Sequence, residues 1–337
     1  MVKIAFFQVK NNWEKEKIKK SFPNEEVLIF EQPIEKTDYG MIKDIEVASV
    51  FIYSDCSRRM LEKLPNLKAI VTRSTGFDHI DLEYCKYKGI SVCNVPHYGE
   101  NTVAEFTFAL LLAISRKIVQ CYKRVKSGSF SFEGLKGFDL AHKKVGVIGA
   151  GNIGKHVIRI AKGFEMDILV YDKFPKSNEE FQREINYKNV DLDTLFRESD
   201  IITLHVPLTP ETKHIINKGA FEKMKDGVII INTARGDLIK SEDLVDALNS
   251  NKVAYAGLDV IEGETFIKDE LELLHNKNSE ENLKIALEDH ILMTHNRVII
   301  TPHNAFNTQD ALERILDTSI KNIKSYLYGD NNENRVI

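Results

Sequence analysis

The chain is poor in the residues that mark secreted or metal-centred scaffolds. Its four cysteines, Cys56, Cys85, Cys93 and Cys121, form no CxxC pair and match no zinc spacing. Neither a disulfide framework nor a bound metal is expected, and a reducing compartment is. Histidine spacings such as His205 to His214 fit no usual zinc arrangement either. No apolar run approaches the roughly 18 residues that a membrane helix needs. No signal peptide is expected, since residues 2–7 read at once as a strand, and a cytoplasmic location is the expectation. Positive charge is not in excess: 46 Lys and Arg stand against 50 Asp and Glu, a formal net charge of −4. That balance gives no reason to expect nucleic acid as a partner. The densest basic run, from Arg116 and Lys117 to Lys126, sits at helical spacing and reads as a solvated face. At 337 residues and 43% hydrophobic, the chain exceeds one typical core and implies two domains.

What is present is organised around Val145-Gly146-Val147-Ile148-Gly149-Ala150-Gly151-Asn152-Ile153-Gly154. A β-branched run breaks into glycines spaced G-x-G-x-x-G, and a helical pattern follows over 156–164. This is the strand, tight turn and helix start that hold a dinucleotide pyrophosphate. Gly149 permits the turn, Gly151 lets the backbone approach the phosphates, and Gly154 lets the helix lie close to the strand. The free N–H groups and the helix dipole then face the anion. A second apolar run, 168–171, ends in Asp172, 18 positions after Gly154. An acid at that distance accepts hydrogen bonds from the adenosine ribose and repels a 2′-phosphate, which argues for NAD over NADP.

Read in order, residues 1–95 alternate short apolar runs (2–7, 27–30, 47–52, 67–72, 90–95) with amphipathic segments (13–21, 57–64, 81–88). Continuous rather than alternating hydrophobicity suits strands covered on both faces, hence a parallel α/β sheet. A long helix is expected from Asn101 or Thr102, with Thr102 and Glu105 as a capping box. Its apolar character nearly all round implies burial between layers or between subunits. An irregular loop over 127–140 leads to the glycine-rich turn. Strands at 145–148, 168–171, 201–206, 228–232, 255–258 and 298–301 then describe a doubly wound sheet of Rossmann type. The charged segment 268–289 reads as a solvent-facing helical insertion, and a helix over 308–328 is expected to return to the first domain. The polar tail 329–337 is expected to fray. The fold expected is α/β, with two Rossmann-like or flavodoxin-like domains. Residues 1–98 and 304–337 make a discontinuous substrate domain and 99–303 the NAD-binding domain.

Ligands of open α/β sheets sit beyond the carboxyl ends of the strands, and four such ends carry polar groups. Arg235 follows the apolar strand 228–232, Glu264 follows Gly257-Leu258-Asp259, His303 follows Thr301-Pro302, and His205 ends the strand on the other side. An arginine, a carboxylate and a histidine over a nicotinamide are the parts for hydride transfer at a 2-hydroxy acid. The arginine binds the substrate carboxylate bidentately and polarises the carbonyl. The histidine exchanges the hydroxyl proton, and the carboxylate holds the imidazole. Taken singly, Arg235 reads equally as a surface arginine, Glu264 as part of a charged region and His303 as a packed core histidine. Their occurrence together at successive strand ends favours the chemistry.

Over almost its whole length the chain resembles the D-isomer-specific 2-hydroxyacid dehydrogenases, and within them the D-lactate dehydrogenases. The resemblance is carried by Arg73-Ser74-Thr75-Gly76-Phe77-Asp78-His79-Ile80-Asp81, Asn94-Val95-Pro96-His97-Tyr98, residues 149–154 with Asp172, His205-Val206-Pro207-Leu208-Thr209, and residues 232–236, 257–264 and 302–303. It implies that Arg235, Glu264 and His303 are the catalytic trio. Asn152, Ile153, Val206, Pro207, Thr212, Thr233, Ala234 and Asp259 would line the cofactor beside Gly149, Gly151, Gly154 and Asp172. Thr75 and Gly76 would present backbone N–H groups to the substrate carboxylate, and Tyr98 would reach the substrate from the interdomain cleft. The resemblance also implies a homodimer paired through the NAD-binding domain. Thr75 departs from the apolar residue that lactate enzymes often carry. Glu264 and His303 stand 39 positions apart, a length that resembles the lactate-type members. Tyr98, Phe306 and Ser54 are the residues expected around the substrate side chain, and they suit a small apolar group such as that of pyruvate or D-lactate. Two other readings stay open: a glyoxylate, hydroxypyruvate or phosphoglycerate dehydrogenase, and an NAD-sensing binding protein of the co-repressor type.

Overall fold

Runs of β-branched residues, buried on both faces, form two parallel sheets in the computed structural model, which describes residues 1–264 and 279–337. By chain contacts it divides into a first unit, Met1–Tyr98 with Thr308–Ile337, and a second, Gly99–Asn307. The first unit resumes at Thr308, four residues after the expected 304. The N–H groups of Asn304 and Ala305 both bond to Asp259, at 2.8 Å each, and keep this stretch with the second unit.

In the first unit β1 (Lys3–Phe6), β2 (Glu26–Ile29), β3 (Val47–Val50), β4 (Ala69–Thr72) and β5 (Ser91–Cys93) pair in parallel in the order 2-1-3-4-5. That order is flavodoxin-like. Ile4 and Phe6 face one side with Val47 and Val71, while Ala5 and Phe7 face the other with Val50 and Ile70. The pleat thus sends successive apolar residues into two cores, which is why these strands show no polar alternation. The C-terminal helix, Gln309–Tyr328, covers the first face with Leu316, Ile320 and Ile323. Thr308 caps its start through Ala311, and Gly329 ends it at φ +74°. The tail does not fray as expected. Val336 donates to the Val92 carbonyl at 2.7 Å, Val92 donates to Ile337, and both tail residues lie against the core.

In the second unit β6 (Lys144–Ile148), β7 (Asp167–Tyr171), β8 (Lys188–Asn189), β9 (Ile201–Leu204), β10 (Val228–Asn232), β11 (Val253–Leu258) and β12 (Val298–Ile300) run in the order 12-11-10-9-6-7-8. This is the Rossmann arrangement with one strand added at the far edge, and the order reverses between β6 and β9. Helix α1 (Glu100–Ser115) starts earlier than expected, from Gly99, and no capping box forms because Thr102 is already buried in its first turn. Its apolar surface is buried between layers of its own unit: Ala104, Phe108, Leu111 and Ile114 meet Val157, Ile158 and Ala161 of α2 (Asn152–Gly163), and Phe108 stacks on Phe164 at 5.3 Å. Helix α3 (Ser241–Asn249) and helix α4 (Ser279–Thr294) flank the β11–β12 side of the sheet. Of the charged insertion 268–289, residues 268–278 lie outside the described residues. The remainder is helical, and its end turns inward: Asp289 is fully buried. Among the described residues no helix is long and apolar enough to cross a membrane.

Candidate active site

The carboxyl ends of β6 to β12 carry nearly all the polar groups singled out above. After β6 the chain turns at Gly149, whose φ is +98° and where a Cβ would stand 2.7 Å from the His205 carbonyl. At Gly154 a Cβ would meet the Gly149 carbonyl at 2.0 Å, so α2 begins directly on the turn. Gly151 is different: a Cβ there meets nothing within 4 Å. Two glycines are required by packing, then, while the third keeps an open face at a helix start. That combination fits a dinucleotide pyrophosphate, which needs backbone N–H groups and unobstructed approach. Asn152 and Ile153 form the first turn of α2. Asp172, just past β7, accepts from Ala150 N–H and Phe174 N–H at 2.7 Å each, so it ties the second strand end to the turn.

Across the switch point Val206 lies against Gly149, and Thr212 donates to the Pro207 carbonyl at 2.6 Å. His205 bonds Thr203 at 2.8 Å, and burial pushes its imidazole down to about 3. It is a neutral packing group at neutral pH. After β10, the Asn232 side chain holds both ends of the next turn, accepting from Ala234 N–H and donating to the Arg235 carbonyl. Thr233 bonds Thr107 of α1 at 2.9 Å. Arg235, half-buried, donates to the Ala234 carbonyl at 2.8 Å. A Cβ at Gly236 would fall 2.0 Å from the Ile261 carbonyl. The arginine turn therefore rests on the segment that carries Glu264.

Glu264 and His303, 39 positions apart, meet: Nδ1 of the imidazole lies 3.0 Å from Oε1 of the carboxylate. Their side chains are 24% and 20% exposed, open enough for a substrate atom to reach. His303 holds a left-handed backbone at φ +52°, a conformation that costs a non-glycine residue energy and recurs at functional sites. Asp259 enforces it. Expected to line the cofactor, it is instead 1% exposed. Its oxygens accept from Thr301 Oγ1 at 2.5 Å and from Asn304 and Ala305 N–H at 2.8 Å. Burial raises its carboxyl, and these donors together with His303 oppose the rise. Phe306 stands edge-on to the imidazole at 6.3 Å.

In the first unit Thr75 and Gly76 lie beyond β4. Thr75 donates to the Val95 carbonyl, and Asn94 donates to the Thr75 carbonyl. Tyr98, beyond β5, is half-buried, and its carbonyl accepts from Arg314 at 2.6 Å. Ser54 is not placed as expected: it is 1% exposed, with its hydroxyl on Gln8 at 2.9 Å. Sequence reading passed over a second group altogether. His214, Asp237 and Glu262 bring ligand-type atoms within 4.8 Å of one another. Beside them lies Asp289, whose neighbour Leu292 one helical turn on is also buried. That shared face was the one signal in the sequence.

A parallel sheet with a phosphate-binding turn at its switch point and an acid–base pair at its carboxyl edge is the equipment of a nicotinamide-dependent dehydrogenase. Residues 108–305 match the family model of the D-isomer specific 2-hydroxyacid dehydrogenase NAD binding domain. The D-lactate dehydrogenase of Escherichia coli is 38% identical over 294 residues, covering 87% of this chain and 86% of that protein. An aromatic 2-oxoacid reductase of Clostridium sporogenes is 39% identical over 289 residues, covering 85% and 84%. A solved D-lactate dehydrogenase of Aquifex aeolicus, complexed with NAD and lactic acid, superposes with a TM-score of 0.85 at 37% identity, covering 97% and 96%. The chain belongs to the D-isomer-specific 2-hydroxyacid dehydrogenase family, and its cofactor is NAD.

Proposed function

We propose that the protein reduces pyruvate, or a 2-oxo acid with a similarly small apolar side chain, to the D-2-hydroxy acid, and that Arg235, Glu264 and His303 carry the reaction. The observation behind this is the Glu264–His303 pair at the edge of the cofactor sheet. The Glu264 carboxylate accepts from Nδ1–H, which leaves Nε2 as the atom that gives a proton to the substrate carbonyl oxygen and recovers it in the reverse direction. Bound NADH supplies the hydride. The Arg235 guanidinium pairs with the substrate carboxylate and draws electron density from the adjacent carbonyl. In the first unit, the exposed turn at Thr75 and Gly76 offers backbone N–H groups to a carboxylate. Phe306, edge-on to the His303 imidazole at 6.3 Å, offers an apolar surface to a methyl group. Measured kcat/KM over pyruvate, phenylpyruvate, hydroxypyruvate and 3-phosphohydroxypyruvate tests the reading, and pyruvate is expected to rank first. A ratio below one against 3-phosphohydroxypyruvate moves the assignment to a phosphorylated substrate. A higher value for phenylpyruvate moves it to aromatic 2-oxo acids, and turnover of none would favour an NAD-sensing binding protein.

Asp172 is proposed to select NAD over NADP, since a 2′-phosphate would meet its carboxylate. Asp172→Ser should raise the NADPH to NADH ratio of kcat/KM by about tenfold or more. Equal use of both cofactors by the unmutated enzyme would dispose of this role. We also propose a homodimer paired through the second unit. Tyr122, Phe130 and Phe132 are 63%, 92% and 88% exposed there, a group of large apolar side chains that a partner would cover. Sedimentation velocity at micromolar protein should show twice the chain mass, and a single-chain mass would refute the pairing.

A further inference from the structure

The turn that presents Glu264 is short. Among the described residues its one backbone closure is Glu264 N–H to the Ile261 carbonyl at 3.3 Å, a weak bond. What holds it is a set of side chains behind it. Glu262 takes His214 Nε2 on one oxygen at 2.6 Å and Ser241 N–H on the other at 2.8 Å. Asp289, from α4, accepts from Gly263 N–H at 2.8 Å and from Ser241 Oγ at 2.9 Å. The same serine, the first residue of α3, therefore serves both acids.

Asp289 is an expensive choice for such a bond. It is wholly buried, and burial pushes its carboxyl up to about 6, with Glu262 and Glu288 adding to the rise and the bonds from Ser241 and Gly263 opposing it. A buried anion flanked by acids lowers stability, and such groups are retained where they fix a geometry. We propose that Asp289 is a positioning residue for the reaction: through Gly263 and Ser241 it fixes the turn from which Glu264 holds the His303 imidazole. This rests on the roles proposed above for Glu264 and His303.

A double-mutant cycle separates the two. Asp289→Asn keeps the volume but removes the charge and leaves one acceptor oxygen where Gly263 N–H and the Ser241 hydroxyl proton now use two. It should lower kcat for pyruvate reduction by about ten- to a hundredfold, with the Kd for NADH, read by fluorescence quenching, unchanged. In a Glu264→Gln background the same change should cost almost nothing further, because the residue it positions is already gone. An equal loss in both backgrounds, or unchanged kcat in Asp289→Asn alone, overturns the proposal. Glu264→Gln without effect overturns instead the role of Glu264. Should Asp289→Asn fail to fold, Ser241→Ala, which removes one bond to the same carboxylate, carries the cycle with a smaller factor.

Discussion

Replacing His303 with glutamine is expected to lower turnover in 2-oxo acid reduction by about 10²–10⁴-fold, the usual worth of a positioned acid–base group, while the protein stays folded. The backbone bonds that shape its turn, from His303 N–H to the Asp259 and Thr301 carbonyls at 2.9 Å, do not involve the side chain. Nor does the imidazole fill the core, since it is 20% exposed. Glutamine keeps a polar end near Glu264 but cannot release a proton at neutral pH. The loss should therefore fall on kcat, with NADH affinity and melting temperature close to those of the parent. Single-turnover kinetics with pre-bound NADH check this directly, and a variant that retains turnover within about threefold would show that another group is the acid. Glu264→Gln should cost less, since the amide oxygen can still accept from Nδ1–H.

Gly236→Ala should be the most damaging change of a single methyl group in the second unit. Its Cβ would lie 2.0 Å from the Ile261 oxygen, 2.2 Å from its carbon and 2.7 Å from Glu262 N. All three are backbone atoms, so no rotamer relieves the clash and two turns must separate. Overpacking of this kind costs about 3 kcal/mol, or roughly 6–12 °C in melting temperature for a unit of this size. The turns that part are those of Arg235 and Glu264, and a displacement of about 1 Å at a reacting group costs about 10²-fold in rate. Gly163→Ala is the control: it closes α2, meets nothing within 4 Å and should leave stability level or slightly higher. Should the two variants melt alike, the close approach of the turns carries no energetic weight.

These contacts explain which parts of the molecule were open to reading. Gly149 and Gly154 are local signals, because each is demanded by backbone within the same strand–turn–helix unit. The placement of Arg235, Glu264 and His303 was legible for a related reason: they stand three, six and three residues beyond the ends of β10, β11 and β12. Asp289 was not, since its partners Gly263 and Ser241 are 26 and 48 positions away, and a charged residue in a charged stretch defaults to solvent. Thr102 and Glu105 show the converse error. Their spacing satisfies a cap, but tertiary packing begins the helix two residues earlier and buries the threonine. Val336 and Ile337 were discounted with a polar tail, although their backbone groups complete β5. Asp259 directly follows β11 as its sequence position suggests, yet its side chain serves the next turn, and Ser54 lies four residues past β3 with its side chain buried.

The first unit is built from both ends of the chain, and that has a consequence for synthesis. Residues 99–307, which form the second unit, are continuous and can fold as they leave the ribosome. Residues 1–98 emerge before them but lack Leu316, Ile320 and Ile323, the helix residues that cover one face of β1, β3 and β4. At roughly 5–20 residues per second, that face waits about 10–40 s for its cover. The earliest segment made is thus the last to be completed, and during the interval Ile4, Phe6, Val47 and Val71 have only part of their cover, from Ile18 and Phe22. A nascent chain stalled just short of the final helix should hold a protease-resistant second unit beside a cleavable first one, and it should be the species on which a chaperone that binds apolar strands is found.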